Sequence, residues 1–412
     1  MDLMSAEQWK RVDAVRRIRQ GALTVVMAAQ MLGLCARQVR RLMRKVEKTG
    51  EKSLAHGNAG RSPAHRLGAE VRKRVVALMR GRYAGFNDQH FTEKLAEYEG
   101  LKLSKSSVRR ILRAAGIVAV HKRRARKHRR RRDRKAQAGL MILWDGSRHD
   151  WLEGRGAMMC LMGAIDDATG ELLPGAHFLE HESAAASLSV LLAITQEKGV
   201  PWSVYMDQHG ALKRNDTNWT LQEELNGEQA PTQVGLALKT LGIKSIFALS
   251  PQAKGRVERL WGTLQDRLTS ELRLAGASTI EEANVVLVQH RADHNRRFAV
   301  TARDDKPAWL AVRHGVDLKR ICSFHYEAVV GNDNTVRIGS NTLDIPPGPS
   351  RRSYARARVE VRQLLDGSWR IYSGEDLIAT APSTTSGAAM KALKRRRGAN
   401  EIQKRRPAQS TD

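Results

Sequence analysis

The sequence predicts a multidomain protein in which α-helical helix-turn-helix modules are followed by an α/β core with a mixed sheet and then by a small all-β domain. Apolar residues recur at helical spacing through residues 6–115. Short apolar runs alternate with helical patterns through residues 140–298. After residue 322, short alternating segments lie between turns rich in Gly, Asn and Pro, as in antiparallel sheets.

These changes of pattern divide the chain into six predicted segments. A chain of 412 residues has room for two to four domains and at least one sizeable core. The segments are a helix-turn-helix domain with its linker (1–66), a second helix-turn-helix-like domain (67–120), a basic linker (121–138), the α/β core (139–318), a small β-barrel-like domain (319–382) and a basic disordered tail (383–412).

The positive charge is concentrated at the two ends of the chain. The formal net charge is +28, to which residues 1–138 contribute +25, residues 139–320 contribute −3 and residues 321–412 contribute +6. A nearly neutral middle between basic ends indicates a catalytic unit carried by polyanion-binding arms. Uniform basicity would have indicated a packaging protein instead.

The three cysteines, Cys35, Cys160 and Cys322, are far apart and show no C-x-x-C spacing. The sequence therefore supports neither a disulfide framework nor a zinc finger. No apolar run approaches the roughly 20 residues that a membrane-spanning helix needs. We expect a soluble, intracellular protein with no membrane partner.

The apolar spacing in the first module predicts three helices, over residues 6–20, over residues 25–32 and from about residue 36 onward. A short glycine-containing turn joins the second and third helices, which is the helix-turn-helix pattern. The outer side of the third helix carries side chains suited to bases and phosphates in a major groove. They are Arg37, Gln38, Arg40, Arg41 and Arg44. The pattern predicts DNA binding; the alternative is a solvated helix in an ordinary bundle.

The second module repeats this logic with helices over residues 69–80, 88–98 and 104–115. Arg109, Arg110 and Arg113 are expected on the outer side of the last helix, so this module is also predicted to bind DNA. Residues 121–135 then hold eleven Lys or Arg in fifteen positions. Such a run repels itself and buries no apolar surface, so we expect an extended tether that lies along DNA phosphates.

The core is predicted to alternate strands and helices. The strands are residues 140–145, 157–165, 172–179, 202–207 and 243–249, and the helices are residues 183–197, 232–241, 252–274 and 280–298. The polar segment after residue 207, up to residue 231, is predicted to be a mobile loop over the site. The order favours a mixed sheet covered by helices.

Two predicted strands end on an acid. Residues 140–144 lead into Asp145, and residues 204–206 lead into Asp207. A helix predicted to start with Ser250 as its N-cap carries a third acid, Glu258, well inside it. These oxygen ligands suit hard divalent ions, and paired Mg²⁺ ions suit phosphodiester chemistry.

Other assignments of these charged residues remain open. Glu258 is either a surface charge or a rigidly held ligand, and Lys254 either holds a phosphate or forms an i,i+4 surface pair with Glu258. Asp150 is expected in the turn after the first strand. Asp166 and Asp167 are expected beside a hairpin turn, although one of them could reach the metals. His290 and His294 stand at i,i+4 but lack the glutamate of a zinc-protease helix.

Four stretches of the chain resemble the DDE transposases, whose core is similar to that of retroviral integrases and of ribonuclease H. They are residues 144–151 (Trp-Asp-Gly-Ser-Arg-His-Asp-Trp), 163–170 (Gly-Ala-Ile-Asp-Asp-Ala-Thr-Gly), 205–207 (Tyr-Met-Asp) and 250–259 (Ser-Pro-Gln-Ala-Lys-Gly-Arg-Val-Glu-Arg). The resemblance covers most of the chain and is nearest to the ISNCY group of bacterial insertion sequences.

The resemblance implies that Asp145, Asp207 and Glu258 bind two Mg²⁺ ions, with Mn²⁺ as a substitute, in a ribonuclease-H-like domain. It implies that the amino-terminal modules bind terminal inverted repeats, and that the chain cleaves DNA at the transposon ends and joins it to target DNA. It also implies a homo-oligomer assembled on double-stranded DNA in the bacterial cytoplasm, at the nucleoid. Near the site, Lys254, Arg256 and Arg259 are expected to hold phosphates.

Three other classes of protein share some of these sequence features. A catalytically inactive DNA-binding regulator derived from a transposase is the main alternative. An ATPase partner of transposition is disfavoured because the sequence has no G-x-x-x-x-G-K-[ST] loop. A serine or tyrosine recombinase would need a nucleophilic hydroxyl in an arginine-rich setting, which neither Tyr205 nor Tyr372 shows in the sequence.

Overall fold

A computed structural model describes residues 4–56, 67–120, 132–207, 210, 212–214, 219–248 and 255–383. The chain divides into two compact units, Met1–Val75 and Val76–Asp412. The predicted basic linker lies largely outside the described residues, and so does the predicted tail apart from residue 383. In the described part of the chain, no helix is both long and apolar enough to cross a bilayer.

The described residues form helices and strands close to the predicted positions. The helices are α1 (Ala6–Arg19), α2 (Val25–Leu32), α3 (Ala36–Thr49), α4 (Ala69–Arg80), α5 (Asp88–Glu97), α6 (Lys105–Ala114), α7 (Ala184–Glu197), α8 (Leu221–Asn226), α9 (Gln233–Thr240), α10 (Val257–Leu274), α11 (Ile280–Phe298) and α12 (Leu318–Ile321). The strands are β1 (Ile142–His149), β2 (Met159–Asp166), β3 (His177–Leu179), β4 (Ser203–Met206), β5 (Lys244–Phe247), β6 (Phe324–Val329), β7 (Thr335–Ile338), β8 (Asn341–Asp344), β9 (Arg358–Gln363), β10 (Trp369–Ser373) and β11 (Asp376–Ala381).

The helix-turn-helix of the first unit is formed by α2 and α3, as predicted. Thr24 caps α2 by accepting a hydrogen bond from the backbone N–H of Met27. Gly33 ends α2 in the left-handed conformation, with φ of 65°, which glycine adopts without steric cost. The buried Val39 and Val46 turn one face of α3 to the helices beside it, so its opposite face is open to solvent.

The second unit is built around a five-stranded mixed sheet, as predicted. Its order is β3-β2-β1-β4-β5; β1, β4 and β5 are parallel, whereas β2 is antiparallel to both β1 and β3. One apolar cluster packs α7 and α9 on one face of the sheet. A second cluster packs α10 and α11 on the other face. These are the strand order and directions of a ribonuclease-H-like core.

Helix α5 is bonded by side chains to the core helices α10 and α11. Glu93 of α5 accepts hydrogen bonds from both terminal nitrogens of Arg267, at 2.7 and 3.2 Å, and its carboxylate lies 3.0 Å from Arg297. His90 and Lys94 both contact Glu271 of α10, at 2.6 and 2.7 Å. The second predicted module therefore shares a largely buried polar interface with the core.

Four core predictions were wrong at the level of elements. The first strand does not end on Asp145, because β1 continues its pairing with β2 as far as His149. The third strand, predicted over residues 172–179, is limited to His177–Leu179.

Helix α10 begins at Val257 and not near residue 252, because Gly255 and Arg256 form a turn; the predicted cap, Ser250, lies outside the described residues. The polar segment predicted to be a loop contains α8. Thr220 and Glu223 form a capping box at the start of α8, which allows a six-residue helix in this polar sequence.

The carboxyl-terminal strands form an antiparallel sheet of order β11-β10-β9-β6 and a separate β7–β8 hairpin. One apolar cluster joins them, with Val336 and Leu343 from the hairpin packed with Val361, Trp369 and Ile371 from the sheet. The small antiparallel β domain is therefore present as predicted. The described strands form two separate sheets, and not a closed barrel.

Candidate active site

Asp145 and Asp207 lie at corresponding positions on neighbouring parallel strands. Leu143 of β1 pairs with Tyr205 of β4, and each aspartate is two residues further along its strand direction. The pairing of β1 with β4 ends at Leu143 and Tyr205, so Asp145, within β1, and Asp207, directly after β4, lie just beyond it at the carboxyl edge of the paired stretch. This edge is where open α/β sheets place their sites.

The alternation of side chains along β1 and β4 predicts that both aspartates point toward the sheet face covered by α10. Leu143 and Tyr205 pack in the cluster with α10, and side chains two residues apart on a strand share a face. Ile142 and Val204, of the opposite parity, pack against α7 and α9. Asp145 and Asp207 are both half-buried, so their carboxylates are accessible at the margin of this face.

Helix α10 is joined to β1 by two side-chain hydrogen bonds. The indole Nε1–H of Trp261 donates to Oδ2 of Asp145 at 3.1 Å, and Nε2 of Gln265 donates to Oγ of Ser147 at 3.1 Å. Trp261 and Gln265 are four helical residues apart, and Asp145 and Ser147 are two strand residues apart. Both separations are about 6 Å, so the two hydrogen bonds form side by side. This pair of bonds was not predicted, because helical spacing identified Trp261 as apolar and carried no information on its N–H.

Glu258 lies in the first turn of α10, and not well inside the helix as predicted. It is exposed and precedes Trp261 by three residues, about 4.5 Å along the helix axis at 1.5 Å per residue. The unsatisfied backbone N–H groups of a first helical turn favour a carboxylate there. Glu258 is thus one helical turn away from Trp261, whose indole N–H binds Asp145.

The donor chemistry of these three acids fits a hard divalent ion, since carboxylate oxygens are its preferred ligands. Asp145 lies in β1, Asp207 directly follows β4, and Glu258 lies in the first turn of α10, which packs on this sheet. Within the described residues, however, no three Asp, Glu, His or Cys side chains are grouped closely enough to hold a metal ion. The adjoining residues 208–209 and 249–254 are not described.

The neighbouring acids have structural partners. Asp166 is buried, and its carboxylate accepts hydrogen bonds from the backbone N–H groups of Gly139, Ala168 and Thr169. Burial nevertheless raises the pKa of Asp166 above its ordinary value. Asp150 accepts from the N–H of Gly154 in the turn after β1, as expected.

Asp167 is fully buried and bound by arginines. Burial alone would raise its pKa, but hydrogen bonds from Arg132, the Lys135 N–H and Arg256 bring the pKa below the ordinary value. Together Asp166 and Asp167 flank the predicted hairpin turn, in which Gly170 has a φ of 73°. These contacts account for both carboxylates without a metal.

The residues predicted to contact DNA on α3 are all exposed. These residues are Arg37, Gln38, Arg40, Arg41 and Arg44. Gln38 has a second role, because its Oε1 accepts a hydrogen bond from the backbone N–H of Cys35 and so caps the helix. The four arginines leave a basic face of α3 open to a ligand.

The other predicted DNA contacts fall into two groups. Arg109 and Arg110 on α6 and Arg259 on α10 are exposed. Arg113 was predicted to point outward, but it is half-buried, bound to Asp88 at 2.6 Å and to the carbonyl of Ile117 at 2.9 Å. Arg256 is directed at Asp167. Lys254 lies outside the described residues.

His290 and His294 are buried on α11 beside the α5 interface. Burial lowers the pKa of each to about 4, with further lowering from His294 in the first case and from Arg267 in the second. Their rings are 6.1 Å apart, centroid to centroid. His90 and Glu271 lie near His290, and the low pKa values keep both rings neutral where they pack in this interface.

Comparison with known proteins gives matches to transposases. A winged helix-turn-helix family model matches residues 11–73. A putative transposase of Sinorhizobium fredii, y4bF, is 38% identical over 303 residues, which are 73% of this chain and 65% of that protein. The transposase for insertion sequence IS1202 of Streptococcus pneumoniae is 32% identical over 326 residues, 70% of this chain and 68% of that protein. The chain thus spans just under two thirds of the first of these relatives.

Among solved structures, the catalytic core domain of HTLV-2 integrase in complex with magnesium matches at 17% identity and a TM-score of 0.25, over 37% of this chain and 85% of that one. The intasome of a simian T-cell lymphotropic virus in complex with a PP2A regulatory subunit, B56 gamma, matches at 12% identity and a TM-score of 0.30, over 74% and 98%. The strand order β3-β2-β1-β4-β5 defines the fold of the core.

A ribonuclease-H-like core that follows a helix-turn-helix unit defines the class of transposases and integrases. Within that class, the sequence relatives identify the family of this chain. The match to the IS1202 protein exceeds 30% identity and covers more than two thirds of that protein. The chain belongs to the transposases of bacterial insertion sequences.

Proposed function

We propose that this chain is a DDE transposase that binds the terminal inverted repeats of an insertion sequence and catalyses Mg²⁺-dependent cleavage and strand transfer of DNA. The observation that supports the proposal is that β1 and β4 are parallel neighbours, with Asp145 in β1 bonded to Trp261 of α10 and Asp207 directly after β4. Glu258 completes the set from the first turn of that helix.

Asp145, Asp207 and Glu258 would hold two Mg²⁺ ions, with Mn²⁺ as a substitute. When bound, such ions activate an attacking oxygen and stabilise the leaving oxygen of a phosphodiester. The chain itself orients the ligands: the indole N–H of Trp261 fixes one oxygen of Asp145. The exposed Arg259, next to Glu258, is in place to bind a phosphate of the substrate strand.

DNA recognition is assigned to the two helices that present exposed arginines. In this proposal α3 enters a major groove of the terminal repeat, and Arg109 and Arg110 of α6 bind phosphates. Lys254 and Arg256 remain proposed phosphate contacts near the site, although Arg256 would first have to leave Asp167. We further propose that copies of the chain assemble on paired transposon ends in the bacterial cytoplasm.

The site is tested by Asp207→Asn and Glu258→Gln, each of which removes a charge with little change in shape. Each variant is expected to lose Mg²⁺-dependent nicking of end-sequence DNA by about 1000-fold or more while its affinity for that DNA stays within about twofold. Asp150→Asn is the matched control, since Asp150 caps a turn next to the site and should leave nicking unchanged. Near wild-type nicking by either variant would remove that residue from the site.

A second candidate function is a DNA-binding regulator without catalytic activity. It is favoured by one observation, that the described residues hold no group of three ligands close enough for a metal ion. Wild-type protein that binds end-sequence DNA specifically, but neither nicks nor joins it in Mg²⁺ or Mn²⁺, would establish this alternative.

A further inference from the structure

The buried carboxylate of Asp167 connects three separate parts of the second unit by hydrogen bonds. Its Oδ1 accepts from Arg132 at 2.6 Å and from Arg256, and its Oδ2 accepts from the Lys135 backbone N–H at 2.8 Å and from Arg132 at 3.2 Å. Arg132 and Lys135 end the basic run, Asp167 lies in the β2–β3 connection, and Arg256 precedes α10. The carboxylate is fully buried, so these bonds are little screened by water.

Arg256 is the N-cap residue of α10 and supplies no side-chain cap to the helix. Its side chain is bound instead to the carboxylate of Asp167 and to the carbonyl oxygen of Arg132. The first backbone hydrogen bond of α10 runs from Leu260 N–H to the carbonyl of Arg256. Holding Arg256 therefore holds the first helical turn, which contains Glu258.

We propose that Asp167 is a positioning residue that fixes the start of α10, and with it Glu258, to the point where the basic segment reaches the core. The inference rests on the proposed function for the role of Glu258, but the fixed helix start is independent of it. Asp167 acts on the helix start through Arg256.

The local balance of charge explains why the carboxylate is required. The guanidinium groups of Arg132 and Arg256 bind this carboxylate, and that of Arg134 donates to the backbone carbonyl oxygen of Asp167. Burial lowers the pKa of Arg134, and the positive charge of Arg256 lowers it further. Without the negative charge the three cations repel one another, and Arg256 loses the carboxylate that binds it at the start of α10.

The test compares Asp167→Asn with a matched control, Glu171→Gln. Glu171 lies in the same β2–β3 connection but pairs with Lys198, away from α10. Hydrogen exchange of a peptide covering residues 258–264 reports on the first turn of α10 and needs no activity. Asp167→Asn is expected to speed exchange of the Leu260 amide by about tenfold or more, whereas Glu171→Gln leaves it unchanged.

The catalytic consequence is measured as single-turnover nicking at saturating end DNA. Because small misplacements of a reacting group can cost up to about 100-fold, we expect Asp167→Asn to lower the rate by at least about tenfold with an unchanged Kd for DNA. Arg256→Gln should show the same exchange and rate effects, and the double variant should be no worse than either single one. If Asp167→Asn does not fold, hydrogen exchange of the DNA-free Arg256→Gln variant decides the positioning role, because the loss of a phosphate contact would not change that exchange.

The outcomes separate the two proposals. Unchanged exchange and unchanged nicking in both single variants would overturn the positioning role. A loss of DNA affinity with an unchanged saturated rate would also overturn it, because Asp167 would then act on DNA binding. If the wild-type chain does not nick DNA at all, the proposed function fails, and the exchange measurement still decides whether Asp167 fixes the helix start.

Discussion

Trp261 joins an apolar core to the candidate active site. Its ring is packed among the residues that seal α10 onto the sheet, and its exposed fraction is 5%. Its one polar atom donates to Asp145. A buried indole N–H usually finds a partner, and here that partner is a proposed metal ligand. The rotamer of Asp145 is therefore set by a side chain that cannot itself move without disturbing the core.

The substitution Trp261→Phe removes this bond and keeps an aromatic ring. We expect nicking to slow by about tenfold, and the free energy of unfolding to fall by about 1–2 kcal/mol from the lost hydrogen bond and the smaller ring. Trp202→Phe is the control, because Trp202 is 54% exposed and lies away from α10. Nicking kinetics and urea unfolding measure the two effects separately; an unchanged nicking rate would show that Asp145 needs no such restraint.

At the scale of elements, the docking of α5 onto α10 and α11 depends on buried charges. Glu93 is 16% exposed and contacts Arg267, 8% exposed, and Arg297, 18% exposed. Pairs this well covered are costly to break from one side, because the remaining charge is left without a partner. Surface pairs contribute far less.

Glu93→Gln should therefore lower the free energy of unfolding by about 3 kcal/mol. The control is Glu375→Gln, since Glu375 pairs with Arg320 but is 92% exposed, and its loss should have an effect near zero. Urea unfolding followed by circular dichroism measures both. Equal, small effects would mean that α5 is held by its apolar contacts alone.

The buried histidines of α11 make the stability of this interface depend on pH. The pKa of His290 and of His294 is lowered to about 4 in the folded chain, against 6.5 in an unfolded one. Between these values the unfolded chain binds protons that the folded chain does not. Stability is therefore full above about pH 6.5 and falls as the pH drops toward 4, by up to about 3 kcal/mol per histidine.

The charged and titratable groups facing these rings are His90 and Lys94 from α5, Glu271 and Arg267 from α10, and Asp293 on α11 itself. Urea midpoints at pH 7, 6 and 5 test the prediction. The double variant His290→Gln and His294→Gln should flatten the pH dependence in this window. If the variant shows the wild-type slope, the proton uptake belongs to other groups.

Most helices and strands were predictable because their buried apolar residues recur in the sequence at the helical or strand repeat. The apolar positions of α3, such as Val39 and Val46, and the apolar runs that end on Asp145 and Asp207, gave helices and strands to within a few residues. The start of α10 was not predictable, because Pro251 and Ser250 are strong helix-start signals, yet Gly255 and Arg256 form a turn before Val257.

Polar contacts between elements were not predictable at all. Glu93 and Arg297 have the composition of a solvated helix surface, and only the packing of α5 shows that they face each other. The partner of Arg113 and the cluster around Asp167 escaped prediction for the same reason. The acids of the candidate site were predictable as residues, but their separation depends on tertiary packing that no local pattern encodes.

For the whole molecule, the uneven charge predicts two different responses to salt. The strongly basic residues 1–138 should make binding of end DNA steeply salt-dependent, with about 0.9 counterion released per phosphate contacted. The nearly neutral core should nick already bound DNA at a rate that changes little with salt. Affinity and saturated nicking rate, each measured from 50 to 200 mM salt, test this separation.

The same experiment assigns the first helix-turn-helix. Arg40→Gln with Arg44→Gln, both exposed on α3, should weaken binding and reduce the magnitude of the salt slope by about 2, with the saturated nicking rate preserved. Arg17→Gln is the control, because Arg17 lies on α1 and pairs with Asp13. A slope that stays at the wild-type value would place the phosphate contacts elsewhere in the chain.

The bonds between α5 and the core also limit where the amino-terminal part of one such protein can be joined to the core of another. A hybrid joined near residue 120 would separate Glu93 and His90 from the partners on α10 and α11 with which they evolved. A hybrid joined before residue 76 would keep every one of these pairs within one parent. Recombination among related mobile elements should therefore have left its crossovers ahead of α5, and engineered chimeras should be spliced there.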